Sequence, residues 1–191
     1  MRFSGIWLAA LFAVVAVSVA AGDAASGPDE EEDTSGIPLT AEDIPARIAR
    51  AEVGEWCLYR TAGGDRLRLT ITDKWQENGE TQLLILNERI PRKRGKRTVR
   101  TEDRVRLKDA VEDQRRLEKE DTVVRGETLM QGQRISVVVV TYMERGRPAR
   151  RSMFSDQIPV YGLVKGVTIS GNTQRNSLTL LDYGYAEEAI D

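Results

Sequence analysis

The side chains able to do chemistry in this 191-residue sequence are Asp, Glu, Lys, Arg, Ser, Thr and Tyr, because it has no His and one Cys, Cys57. Cys/His zinc sites, Ser-His-Asp triads, Cys-His dyads and an intrachain disulfide are therefore excluded. Two carboxylates about 5–9.5 Å apart could hydrolyse a glycoside, and the neighbouring acids Glu102/Asp103, Glu112/Asp113 and Glu120/Asp121 offer the type. Adjacent residues point apart on a helix or a strand, and each pair sits among Arg and Lys, so these acids read as solvated charged faces. A Ser155–Lys165 dyad would need a desolvated lysine as base, and nothing in the sequence buries Lys165. The expectation is a non-enzymatic protein with no catalytic residue, no metal and no cofactor.

Binding chemistry is better represented. Arg92, Lys93, Arg94, Lys96 and Arg97 put five cations into six residues, with Arg89 and Arg100 alongside. Such a loop could meet phosphate head groups, polyanionic glycans or nucleic acid, or serve only as a solvated connection. Base stacking has no aromatic side chain nearby to use. Trp56, Trp75, Tyr142, Phe154 and Tyr161 fall on extended segments, where they line either an apolar cavity or the core. Ser155, Asp156, Pro159 and Gly162 surround a bend, since Pro159 fixes φ, extends Ile158, and Gly162 tolerates a bulge. They read as a ligand-gating loop or as a bent connection held by turn chemistry.

The elements that must position these groups follow from composition. Arg2, the apolar run Ile6–Val19 broken only by Ser18, and Ala20, Ala21 and Gly22 have the order of a secretory signal peptide, assigned to residues 1–22. The run is several residues short of the 20 or so that span a bilayer. Processing would leave no transmembrane anchor, and the expected location is periplasmic or extracellular, which argues against nucleic acid as partner. Residues 23–43 carry eight acids and no base, whereas residues 44–191 carry five more bases than acids. The acidic segment, centred on Asp29–Asp33, is too poor in apolar residues to offset ordering entropy of about 1–2 kcal/mol per residue. It reads as a disordered linker, able to fold back onto the basic loop and mask it.

Residues 44–191 read as a single domain. Ile44 and Ile48, with Pro45 in the first turn and Thr40 or Asp43 as cap, predict a short helix. Leu67, Leu69 and Ile71 alternate with polar residues towards Trp75, and Asn78-Gly79 turns the chain into Thr81–Ile90. Further hairpins surround Gln131-Gly132-Gln133, Arg145-Gly146-Arg147-Pro148 and Ser170-Gly171-Asn172. With a strand around Trp56, about eight strands result. Leu107, Ala110, Val111, Gln114 and Leu117 recur at helical spacing, predicting a helix over 107–119, against the rival of a strand through Val99–Leu107. Val137-Val138-Val139-Val140 needs cover on both faces, which that helix would supply on one of them.

The stretch Ser155-Asp156-Gln157-Ile158-Pro159-Val160-Tyr161-Gly162-Leu163-Val164-Lys165, followed by Leu181-Asp182-Tyr183-Gly184 and preceded by Gly126–Leu129, covers about 60 of the 191 residues. It resembles uncharacterised exported bacterial proteins that are similar, at a distance, to the outer-membrane lipoprotein-carrier superfamily. That resemblance implies an open antiparallel half-barrel, closed by helices around an apolar cavity that takes a lipid acyl chain, and no enzymatic activity. The combined expectation is a mostly β (α+β) protein: one antiparallel sheet of about eight strands, half-barrel or sandwich, with one or two covering helices. Its expected partner is a lipid or other apolar or amphipathic ligand. The competing reading is a cell-envelope interaction module that uses the basic loop and exposed strand edges, with an anionic surface as its expected partner.

Overall fold

The structure is a computed structural model and describes residues 39–185. The signal-peptide reading and the acidic run Asp29–Asp33 lie outside the described residues. Alternation of apolar and polar residues becomes nine strands: β1 (Glu55–Thr61), β2 (Arg66–Glu77), β3 (Glu80–Ile90), β4 (Val99–Arg106), β5 (Thr122–Met130), β6 (Gln133–Glu144), β7 (Arg147–Phe154), β8 (Leu163–Ser170) and β9 (Thr173–Tyr185). Among the described residues one α-helix, α1 (Leu107–Gln114), links β4 to β5. The strands form a single open antiparallel sheet in the order β4-β3-β2-β1-β9-β8-β7-β6-β5. The strands thus start at the centre with β1, wind out to β4, cross over, and wind back from β5 until β9 closes on β1.

Local chemistry explains the register. Asn78-Gly79, Gln131-Gly132 and Arg145-Gly146 all have positive φ at both positions, the conformation of the two-residue turn that matches strand twist. Each turn fixes which residues face each other across its hairpin, and a slip of one residue would reverse both faces. Cross-strand partners share a face, so the pairs Cys57–Leu69, Ile71–Ile85, Leu83–Val105 and Tyr59–Leu180 trace one inner face through β4, β3, β2, β1 and β9. The face continues through Leu178–Gly166, Gly166–Ser152, Ser152–Val140 and Val140–Val123 to β5. Leu69, Ile71 and Leu83 are fully buried there, each worth about 1.5–3 kcal/mol.

Three segments cover this face. Two 3-10 turns, Ala41–Asp43 and Arg47–Arg50, precede β1, and residues 155–162 connect β7 to β8. The third is α1, which packs on β3, β4 and the Arg47–Arg50 turn. Ile44, Ile48, Ile158 and Val160 from these segments are fully buried against the sheet.

Several expectations change. Leu39–Asp43, assigned to the linker, take part in the fold: the Leu39 N–H donates to the Val123 carbonyl at 3.1 Å on the free edge of β5. The helix expected at Ile44–Ile48 is replaced by the two 3-10 turns, because Ile44, the residue before Pro45, is held extended at φ −68°, ψ 121°. Val99–Arg106 is a strand, the ninth, and the helix stops at Gln114 rather than 119. Paired Leu83–Val105 and Ile85–Asp103 contacts hold the strand up to Arg106, and the helical spacing takes over at Leu107. The helix α1 packs on β3, β4 and the Arg47–Arg50 turn rather than across β6, so it is not laid over the four valines. Val138 and Val140 face inward and Val137 and Val139 outward, and all four are buried.

Candidate functional site

The sealed part of the inner face is organised around a charged pair. Glu55 shares the inward parity of Cys57 and Tyr59 on β1 and is fully buried. Its Oε1 accepts a hydrogen bond from Arg47 Nη2 and its Oε2 accepts one from the Val160 N–H at 3.1 Å. Burial alone would disfavour the Arg47 charge, but the Glu55 hydrogen bond and charge prevail and hold its pKa above the usual value. Nearby, Cys57 Sγ donates to the Pro159 carbonyl at 3.3 Å and the Tyr59 hydroxyl to the Leu163 carbonyl at 3.0 Å. Desolvation pushes the Cys57 thiol up to about 12, which removes the thiolate needed for nucleophilic chemistry. Gln114 Nε2 completes the seal by donating to the Pro45 and Tyr161 carbonyls at 2.7 and 2.8 Å.

Beyond this seal the inner face opens. A cavity of about 2100 Å³ lies between Ile44–Arg50, the end of α1 and strands β5–β7. Val138, Phe154, Val111, Ile44 and Ala49 give it apolar wall, while Arg50, Arg115, Arg125, Arg134, Arg151 and Lys165 bring six cations against the four acids Glu42, Asp43, Glu127 and Asp156. Residues of both faces of β5 and β6 line it, so it reaches around the free edge of β5. Arg125 pairs with Asp43 at 3.6 Å and Arg134 with Glu127 at 3.4 Å. The Asp43 carboxylate is itself held below its usual range by the Thr40 backbone N–H and hydroxyl, then by Arg125. Arg50, Arg115 and Arg151 have no ion-pair partner among the described residues, and the buried Nε of Arg115 and of Arg151 has no hydrogen-bond acceptor there.

The aromatic candidates separate. Phe154 lines the cavity. Tyr142 is on the same face under Arg150, whose guanidinium sits 4.9 Å from the ring centre. Tyr161 is in the β7–β8 connection, its hydroxyl pKa raised first by burial and then by the Asp103 and Asp113 charges. Trp56 pairs with Thr70 and Gly184, and Trp75 with Gln82, which puts both on the outer face. They lie there beneath Arg68 at 4.7 Å and Arg104 at 5.0 Å. A single sheet has two faces, and aromatic content does not say which one a ring takes.

The proposed gate is fastened down. The Ser155 N–H donates to the Gly162 carbonyl at 2.8 Å and the Gly162 N–H to the Pro159 carbonyl at 3.1 Å. Gly162 has φ +71°, and a Cβ there would stand 2.6 Å from the Ser155 carbonyl oxygen. Val160 also has positive φ, 59°, a costly state for a β-branched residue that the Glu55 hydrogen bond fixes. Asp156 is exposed and lines the cavity, whereas Pro159 is buried. These bonds make residues 155–162 a strut joined to β1, and β8 begins after it at Leu163.

The acid pairs do not converge. Asp103 accepts from Asn87 Nδ2 at 2.6 Å, and Asp121 accepts the Glu118 and Met143 N–H groups at 2.8 and 2.7 Å. No hydrogen bond joins Ser155 to Lys165 among the described residues. No group of three or more His, Cys, Asp or Glu residues that could hold a metal occurs among them either.

Arg92, Lys93, Arg94, Lys96 and Arg97 form the exposed β3–β4 connection. Asp65, in the β1–β2 turn, accepts the Arg92 N–H at 3.0 Å and Arg89 Nε at 2.9 Å. Its carboxyl stays below the usual range, first through the Arg92 backbone and then through Arg89 and Lys96. Glu55 was legible from its inward parity on an apolar strand. Arg50, Arg115 and Arg125 were not, because arginines are common on any surface and only the covering segments bring these three to one cavity. Compared with known proteins, the chain matches no family model, no curated protein and no solved structure.

Proposed function

We propose that this is an exported, non-enzymatic protein that holds an amphipathic anionic molecule between the inner face of β5–β7 and the Ile44–Arg50 segment. The observation that carries the reading is the cavity of about 2100 Å³, in which apolar Val138 and Phe154 lie near arginines lacking partners. A hydrocarbon chain would gain about 25 cal/mol for each Å² it buries. A carboxylate or phosphate head would satisfy the buried Nε of Arg115, which otherwise has no acceptor, and pair with the exposed Arg50 at the rim. The resemblance to exported lipid-chain carriers, the short apolar leader and the open antiparallel sheet support the same assignment, with a periplasmic or extracellular location.

The test is a titration of delipidated protein with a fluorescent fatty-acid probe, displaced by unlabelled oleate. Saturable, displaceable binding is expected, weakened about tenfold by Arg115→Gln through loss of a charge-assisted hydrogen bond. Ala49→Trp, which fills the cavity mouth from an exposed position, should abolish it. Absence of saturable binding would remove the carrier reading and leave the interaction module built on the basic loop and strand edges.

A further inference from the structure

A second concave site lies on the opposite face of the sheet, independent of the cavity above. Arg60, Gly64, Arg66, Ile90, Pro91 and Arg92 line a cleft of about 560 Å³. Arg60 and Arg66 stand directly opposite each other on β1 and β2, where two like charges are destabilising. Arg92 closes the third side, its Cδ 3.1 Å from where a Gly64 Cβ would be. The nearby acid does not neutralise the three, since Asp65 is engaged by Arg89 and by the Arg92 backbone N–H. Among the described residues, none of the three guanidiniums has an ion-pair partner.

We infer that the cleft binds the phosphate of a phosphoester, with Arg60, Arg66 and Arg92 as its ligands and Ile90 and Pro91 against the esterified carbon. One guanidinium already matches both oxygens of a carboxylate, whereas three on different sides need an anion that offers oxygens in several directions. The anion would also cancel the Arg60–Arg66 repulsion, so binding is coupled to stability. At about 560 Å³ the cleft is larger than a lone phosphate requires, which leaves space for an organic body over the apolar floor. The phosphoester is either a soluble metabolite or a phospholipid head group, two sources that share this chemistry.

The experiment is thermal denaturation of the purified protein with and without glycerol phosphate, together with co-sedimentation on phosphatidylglycerol or phosphatidylcholine vesicles. Arg66→Gln, at an exposed position, should raise the melting temperature in phosphate-free buffer and lose the phosphate-dependent rise. It should weaken binding about tenfold, while Lys93→Gln/Arg94→Gln on the adjacent loop weakens it less than about twofold through screened long-range attraction. Saturation by glycerol phosphate assigns a soluble ligand; Arg66-dependent binding to phosphatidylglycerol vesicles alone assigns a lipid head group. The inference is overturned if neither probe binds, if Arg66→Gln binds as wild type, or if the loop variant loses as much as Arg66→Gln.

Discussion

On one side of the β1–β9 seam the inner face is sealed, and on the other it is hollow, although both sides are antiparallel strands with similar apolar alternation. Over β1–β3 lie Ile44, Ile48, Ile158 and Val160, all fully buried, with the Arg47–Glu55 pair bonded to the Val160 backbone. Over β5–β7 the same covering segment supplies only one wall, and Val138, Phe154 and several arginines face space. The difference lies in the cover. The helix emerges directly from β4 and ends after eight residues, and the β7–β8 strut is tied to β1 through Cys57 and Glu55. Both pack mainly against the first half, and what they bring to the second is Val111, Arg115 and Asp156 at the cavity wall. The cover is thus tight over β1–β3 and incomplete over β5–β7, although Val137, Val138, Val139, Val140, Met153 and Phe154 are themselves buried.

The most damaging way to break this division is Glu55→Ala. It leaves the Arg47 charge buried and the Val160 N–H unpaired, and unfolding in urea should show a loss of about 3–5 kcal/mol. Arg47→Met/Glu55→Leu, which removes both charges, should recover most of that loss. If the single variant proves as stable as wild type, the sealed half is not held by this pair.

The same substitution in both halves sharpens the contrast. Leu83→Ala, at a fully buried site on β3, should cost about 2–5 kcal/mol. Leu129→Ala, at the cavity rim where the side chain is 57% exposed, should stay within about 0.5 kcal/mol of wild type. Equal costs would mean that the second half is packed as tightly as the first.

The smallest effect is chemical. Cys57 should resist thiol reagents until the sealed half unfolds, whereas a cysteine introduced as Leu129→Cys should react at once. Because burial raises the folded thiol from 9.0 to about 12, its contribution to stability is whole below pH 9.0 and is lost as the pH rises towards 12. A denaturation series across that window should show declining stability that Cys57→Ser reduces. Fast labelling of Cys57 in the native state would open the sealed half.

Much of this was written in local chemistry. The Gly-containing turns at 78–79, 131–132, 145–146 and 171–172 set the hairpins, and alternation around Leu69 or Val139 set strands that need two partners. Val99–Arg106 was ambiguous because charged residues outnumber its two valines and it gains its identity from lying beside β3 at the sheet edge. The five aromatic candidates scattered over both faces and the β7–β8 connection for a related reason. Alternation says that neighbours point apart, while the choice of inner face is made by whatever covers it.

The sequence by itself determined the absence of histidine and of any Cys-His pair, the mostly β character and the hairpin positions, since these depend on residue type and on contacts two to four residues apart. Only the tertiary structure decided that β9 closes on β1, that Arg47 and Glu55 meet, and that Arg60, Arg66 and Arg92 converge. Those pairings join residues far apart along the chain, and their energies exist only once the sheet has brought the partners within a few ångströms.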